Sequence, residues 1–180
     1  TSGKFGDVEL AATQILLQFL HISSYGMDGF AFAAEVLVGQ AVGKSNRFML
    51  RDAVIKSGLW TFVIAICLAL IYALFGSFFI KIMTTSDEVI LASEAFLIFI
   101  VLGPIFGALP FLMDGIFVGA TRSVDMRNMM FLSLIIYVVS AYVLIDLYGF
   151  YGLWLALLVS YAARGISLVM RYPKLEKSIS

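Results

Sequence analysis

The stretch SGLWTFVIAICLALIYALFGSFFI, residues 57–80, decides the fold class. It holds no charged side chain, and Lys56 and Lys81 bound it on either side. A bilayer core about 30 Å thick is crossed by about 20 helical residues, so such a run reads as a membrane-spanning helix. The rest of the chain agrees. Of 180 residues, 62% are hydrophobic and 13% charged, where a water-soluble domain carries about 45–50% and about 25%. Mean hydropathy is +1.01. With 16 Phe, 8 Tyr and 2 Trp, the chain is far too apolar and aromatic to be disordered. Balanced charge, 12 Lys+Arg against 12 Asp+Glu, removes a general electrostatic case for nucleic-acid binding. Cys67 stands alone, so neither an internal disulfide nor a multi-thiolate metal site is available. These features describe an all-α integral membrane protein, a polytopic helical bundle of about five transmembrane helices.

Working outward from residues 57–80, the spans fall at about 10–43, 53–80, 89–120, 128–146 and 150–170. Residues 171–180 then form a cytoplasmic tail. The first and third spans exceed 30 residues, about 48 Å of helix at about 1.5 Å per residue, and must tilt, kink or protrude. The bases are segregated. Lys44, Arg47, Arg51, Lys56, Arg122, Arg127, Arg171, Lys174 and Lys177 flank one set of span ends, and Arg164 is read with them as a side chain snorkelling from the end of the last span. Only Lys4 and Lys81 lie on the other side. The positive-inside rule makes the basic side cytoplasmic, with the N-terminus outside and the C-terminus inside. The chain opens Thr1-Ser2-Gly3, without Met or a signal peptide, which reads as a piece of a longer polypeptide.

Acids inside spans are the unusual feature. A buried ionisable group costs about 2.5–3.5 kcal/mol on insertion scales and normally faces protein or water. Asp28, Glu35, Glu94 and Asp114 lie within spans, Glu94 near an outer end, and no base is read at equal depth. Gln14, Gln18, His21, Tyr25, Asp28 and Glu35 fall within a helical arc of about 100°, with Phe32 inside it. Such a stripe forms either a hydrogen-bond network between helices or the wall of a polar cavity. In the third span Gly103-Pro104 and Gly107-Ala108-Leu109-Pro110 interrupt the helix, and Asp114 follows Pro110 by one turn. Proline removes an amide donor and frees a carbonyl, so Pro104 and Pro110 are expected kinks. Broken helices beside carboxylates build many transporter sites.

Other signals are weaker. Gly39/Gly43, Gly103/Gly107 and Gly115/Gly119 have the small-xxx-small spacing of close helix contacts. Tyr148, Phe150, Tyr151 and Trp154 surround a tight turn and suit an aromatic interface belt. Enzyme signatures, a metal set and a cofactor fingerprint are absent, so no catalytic role and no cofactor are expected.

Three strings carry a family resemblance: LAATQILLQF (10–19), MDGFAFAAEVLVGQAVG (27–43) and LPFLMDGIFVGATRSVDMRN (109–128). They resemble the multidrug and toxic compound extrusion (MATE) family, in its DNA-damage-inducible F branch. The resemblance implies two six-helix lobes around a central cavity, exchanging H⁺ or Na⁺ for organic, often cationic, compounds by alternating access. Five spans with this topology then match the eighth to twelfth helices, a partial C-terminal lobe covering residues 1–170. The N-terminal lobe, where this branch carries its proton-linked acids, is the missing partner. In the NorM-like branch the cation-binding acid of the third span would fall near Phe111, so that role is not carried over to Asp114.

The expected function is therefore that of a fragment of a plasma-membrane secondary transporter, a cation-coupled antiporter for multidrug efflux. Its expected partners are organic cations and membrane lipid. The cavity candidates are Gln14, Gln18, His21, Tyr25, Asp28, Glu35 and Asp114. A flippase for lipid or lipid-linked oligosaccharide is the alternative, and would call for cavity bases where this chain offers acids. A structural or channel-forming subunit is the third reading.

Overall fold

A computed structural model describes residues 6–179; Lys4 lies outside the described residues. The described chain is helical throughout: α1 (Asp7–Gly43), α2 (Arg47–Met83), α3 (Asp87–Gly119), α4 (Ser123–Tyr148) and α5 (Phe150–Lys177). Helices α2 to α5 are each long and apolar enough to cross a membrane. The 37-residue α1 has the length, but its polar face dilutes its hydropathy. Helix α5 continues past residue 170 to Lys177, and the end of the chain packs back on the bundle, with Leu175 and Ile179 buried. Pro104 and Pro110 both sit inside α3, which runs on through them.

Helix α3 is the hub, packed against α1, α2 and α5. Of its most apolar stretch 56% is buried, against 6% for α4, which lies at the rim of this bundle and leans on α5. In lipid the hydrophobic effect does not press helices together, so close van der Waals fit has to. The small residues supply it. A Cβ on Gly115 would run into the backbone carbonyl of Ala31, and one on Gly119 into that of Glu35. Gly39 faces the Gly119 carbonyl, at 3.4 Å from the position of a Cβ. Gly103 and Gly107 receive the side chains of Leu20 and Met27. Two of the three glycine pairs thus line the α1–α3 contact from the α3 side. Gly43 meets nothing. On α2 the buried positions Gly58, Thr61, Ala65, Ala69, Tyr72, Gly76 and Ile80 recur at helical spacing, while Trp60, Ile66, Leu70 and Leu74 face outward.

The α1–α2 and α3–α4 connections are one motif used twice. Asn46 N–H donates to Ala41 O at 3.0 Å and Ser45 N–H to Val42 O at 2.9 Å. Arg122 N–H donates likewise to Phe117 O at 2.8 Å and Thr121 N–H to Val118 O at 2.9 Å. Each is a Schellman closure, which needs a left-handed residue just past the helix. Ser45 (φ 49°) and Thr121 (φ 57°) fill that position without being glycine. Both connections lie at the end where α5 finishes: Ser45, Thr121, Arg122 and Ser178 line one polar hollow. Arg47 donates there to the carbonyls of Ile179 and Lys177, and Arg51 pairs with Glu176. Arg171 meets Asp125 at 3.0 Å. At the opposite end Lys81 faces Glu94 at 3.8 Å, joining α2 to α3. The aromatic turn divides: Tyr148 and Tyr151 are exposed, whereas Phe150 and Trp154 are buried. Phe150 meets Phe96 edge-on at 4.8 Å, and Trp154 stacks near Phe99. Tyr151, though partly exposed, also packs on Phe96 at 4.5 Å, so three of the four rings of the expected belt join the α3–α5 contact.

Gly115→Ala should destabilise the bundle by about 1–3 kcal/mol, since a backbone carbonyl cannot yield as a side chain tip can. Gly43→Ala should stay within about 0.5 kcal/mol of the parent; equal losses in detergent unfolding titrations would refute the close-packing account. Thr121→Gly should stabilise by about 1 kcal/mol by removing a β-branched residue from the left-handed region. A lowered melting midpoint would contradict this.

Candidate functional site

Helix α1 carries the expected stripe, and the bundle splits it. Gln14, Gln18, His21 and Tyr25 are exposed along the upper part, Tyr25 at 76%. Gln18 edges a cleft of about 630 Å³ between α1 and α2, whose other walls, such as Phe19, Leu68, Ile71 and Phe79, are apolar or aromatic. Among the described residues no carboxylate, histidine, lysine or arginine lines that cleft. Buried behind its Phe19 and Tyr72 wall, Ser23 donates to Phe19 O at 2.9 Å and lies 3.0 Å from the Tyr72 hydroxyl, which ties α1 to α2.

The lower part is different. Asp28 and Glu35 are half-buried and face a cavity of about 270 Å³ that also takes in Asp114 from α3 and Arg164 from α5. Its other walls include Phe32, Phe111, Met126 and Met130. The seven-residue separation on α1 puts the two acids on one face about 10 Å apart. The close seating of Ala31 and Glu35 on Gly115 and Gly119 brings that face to the level of Asp114. Three of the seven candidate side chains, Asp28, Glu35 and Asp114, are thus brought together; Gln14, Gln18, His21 and Tyr25 stand apart from them. Among the described residues no acid, histidine and cysteine side chains gather as a metal-chelating group.

Arg164 corrects the reading of the charges. It was expected to snorkel from the end of the last span, with no base as deep as the acids. Arg164 lies near the middle of α5 (Phe150–Lys177), about 10 Å along the axis from Arg171, and its contact with Asp114 puts it at the level of that acid. Its Nη2 donates to Asp114 Oδ2 at 2.5 Å, with the two side chains 22% and 18% exposed. A carboxylate and a guanidinium held away from water need each other, and each supplies the other's countercharge. The signal was present in the sequence: Ser160, Arg164, Ser167 and Arg171 share one face of α5 at helical spacing. Among the described residues Asp28 and Glu35 have no such partner.

Comparison with known proteins agrees with this architecture. The MatE family model matches residues 1–143. DNA damage-inducible protein F of Escherichia coli (strain K12) is 33% identical over 165 residues, covering 92% of this chain and 36% of that protein. Among solved structures, the eukaryotic MATE transporter AtDTX14 superposes with a TM-score of 0.85 at 18% identity, over 96% of this chain and 40% of its own. The chain thus spans well under half the length of each of these relatives, and its likeness to the second is one of fold. A five-helix multi-pass membrane bundle with these sequence relations belongs to the MatE family.

Proposed function

We propose that this chain forms one wall of the translocation cavity in a secondary transporter. That transporter exchanges H⁺ or Na⁺ for organic cations by alternating access, and so exports drugs and toxic compounds. The observation that carries this reading is the excess of acid in the α1–α3–α5 cavity: Asp28, Glu35 and Asp114 against Arg164. In a medium drier than water, ionised carboxylates at this spacing repel each other and are hard to desolvate. They call for a counter-cation, and a proton, a sodium ion or a ligand ammonium supplies one. The aromatic and thioether walls suit the apolar body of an organic cation, with Phe32 and Phe111 able to offer ring faces to its charge. A phosphate-bearing lipid would meet net negative charge here, which weighs against the flippase alternative. A purely structural stripe would have its acids bonded to neighbouring helices, and among the described residues Asp28 and Glu35 have no such bond.

On this reading the stripe needs a facing wall from the other lobe of the full-length protein, and the nine bases flanking the α1–α2 and α3–α4 connections and the end of α5 mark the cytoplasmic side of the plasma membrane. Cysteines introduced at Ser45 and Ser178 should be labelled only from inside, and one at Ser86 from outside. Outside labelling at Ser45 in intact cells would reverse the orientation.

Asp28→Asn in the full-length protein keeps shape and most hydrogen bonding while removing one charge. It should abolish drug-driven proton or sodium exchange, by at least about tenfold, at near-normal expression. Full efflux with unchanged ion dependence would defeat the reading.

A further inference from the structure

The Arg164–Asp114 contact is half made. A guanidinium and a carboxylate can join through two parallel hydrogen bonds, and the paired geometry is the stronger one. Here Nη2 bonds Oδ2, while Arg164 Nε and Asp114 Oδ1 are both buried and neither has a partner among the described residues. An unused donor and an unused acceptor therefore remain beside a cavity that already holds two unpaired acids, Asp28 and Glu35. A buried polar atom without a partner is costly, so such groups ordinarily find one in protein, ordered water or a ligand. The guanidinium also lies between two hollows, since it lines a second one formed by α4 and α5 with Ser133, Tyr137 and Ser160. Hydroxyls there can accept from its N–H groups if it turns away from Asp114.

We propose that Arg164 is a tethered counter-ion and the residue that sets the charge selectivity of this cavity. It neutralises Asp114 while the cavity is empty and limits the charge open to a ligand to that of Asp28 and Glu35. This rests on the organic-cation reading above and deepens it. A ligand ammonium approaching Asp114 competes with a guanidinium already present; an ordinary structural ion pair would have no such competitor role. Counting the four groups as ionised, the cavity carries three negative charges and one positive. Removing Arg164 alone makes it more negative, removing the Asp114 charge alone makes it less so, and removing both leaves the net charge unchanged.

The experiment compares ethidium with propidium, a monocation and a dication on the same ring system, binding to the full-length protein in detergent by fluorescence titration. Arg164→Gln should raise the propidium-to-ethidium affinity ratio about tenfold, the scale expected for one unit charge near a partly screened site. Asp114→Asn should lower it by a similar factor. The double variant Asp114→Asn/Arg164→Gln should return the ratio to the parent value, although it has no ion pair at all. Arg164→Lys, which keeps charge and loses the fork, should leave the ratio in place even where it lowers thermal stability. A purely structural Arg164 would instead weaken both dyes together in Arg164→Gln, and the double variant would not restore the ratio; that pattern overturns the proposal. Absence of binding of either dye to the parent protein and to every variant overturns the organic-cation reading itself, and this inference with it. Binding with a ratio indifferent to all four variants overturns only the role of Arg164.

Discussion

The site depends on one contact between backbones. Gly115 and Gly119 present no side chain to α1, so the carbonyls of Ala31 and Glu35 lie directly on α3. In lipid, where apolar association gains nothing from leaving water, this close approach is what dispersion and weak backbone contacts can reward. It also sets the height of α1 against α3. Shifting α1 by a turn would carry Asp28 and Glu35 away from Asp114, and the shared cavity would lose one of its walls. The small residues are therefore both packing devices and the means by which three acids from distant parts of the chain come together.

Around that contact, α5 is tied to the rest of the bundle at three levels, each by different physics. At the turn end, Phe150 and Trp154 pack against Phe96 and Phe99, burying ring surface. In the middle, Arg164 meets Asp114. At the connection end, Glu176 and the terminal carbonyls are gripped by Arg51 and Arg47, and Arg171 by Asp125. The ties at the connection end are partly exposed, so each adds little by itself and weakens with salt. The middle tie differs in kind. Separating a guanidinium from a carboxylate away from water leaves both without a countercharge, so the pair holds until another charge takes the place of one partner. A group that can be replaced only by another charge is suited to sensing one.

Much of the fold is legible in the sequence. Residues 57–80 can only span or be buried, and the placement of bases at alternate connections predicts which helix ends lie together. The glycine spacing marked contacts that the structure uses at Gly103, Gly107, Gly115 and Gly119, although a Cβ on Gly43, which has the same spacing, would meet nothing among the described residues. The acids Asp28, Glu35 and Asp114 stood out because a carboxylate within a span needs a reason to be there. Gln14, Gln18, His21 and Tyr25 share an arc with Asp28 and Glu35, yet periodicity reports direction around one helix and carries no information on where along it a neighbour stops.

The sequence by itself determined that this is a helical membrane protein, how many helices it has, where its charges segregate and which family it belongs to. All of these follow from local composition, spacing and string identity. Only the tertiary structure decided which parts of the stripe face a cavity, that Phe150 and Trp154 turn inward, and that Arg164 belongs with Asp114. Those outcomes depend on the relative height and facing of helices packed side by side. One helix read alone sends Arg164 to the headgroups, because its partner lies on another helix; the contact with Asp114 of α3 puts it at the level of that acid. Asp114 and Arg164 lie fifty residues apart in the chain, and no local pattern links them. The requirement that each buried charge find its opposite is satisfied only when the helices that carry them meet.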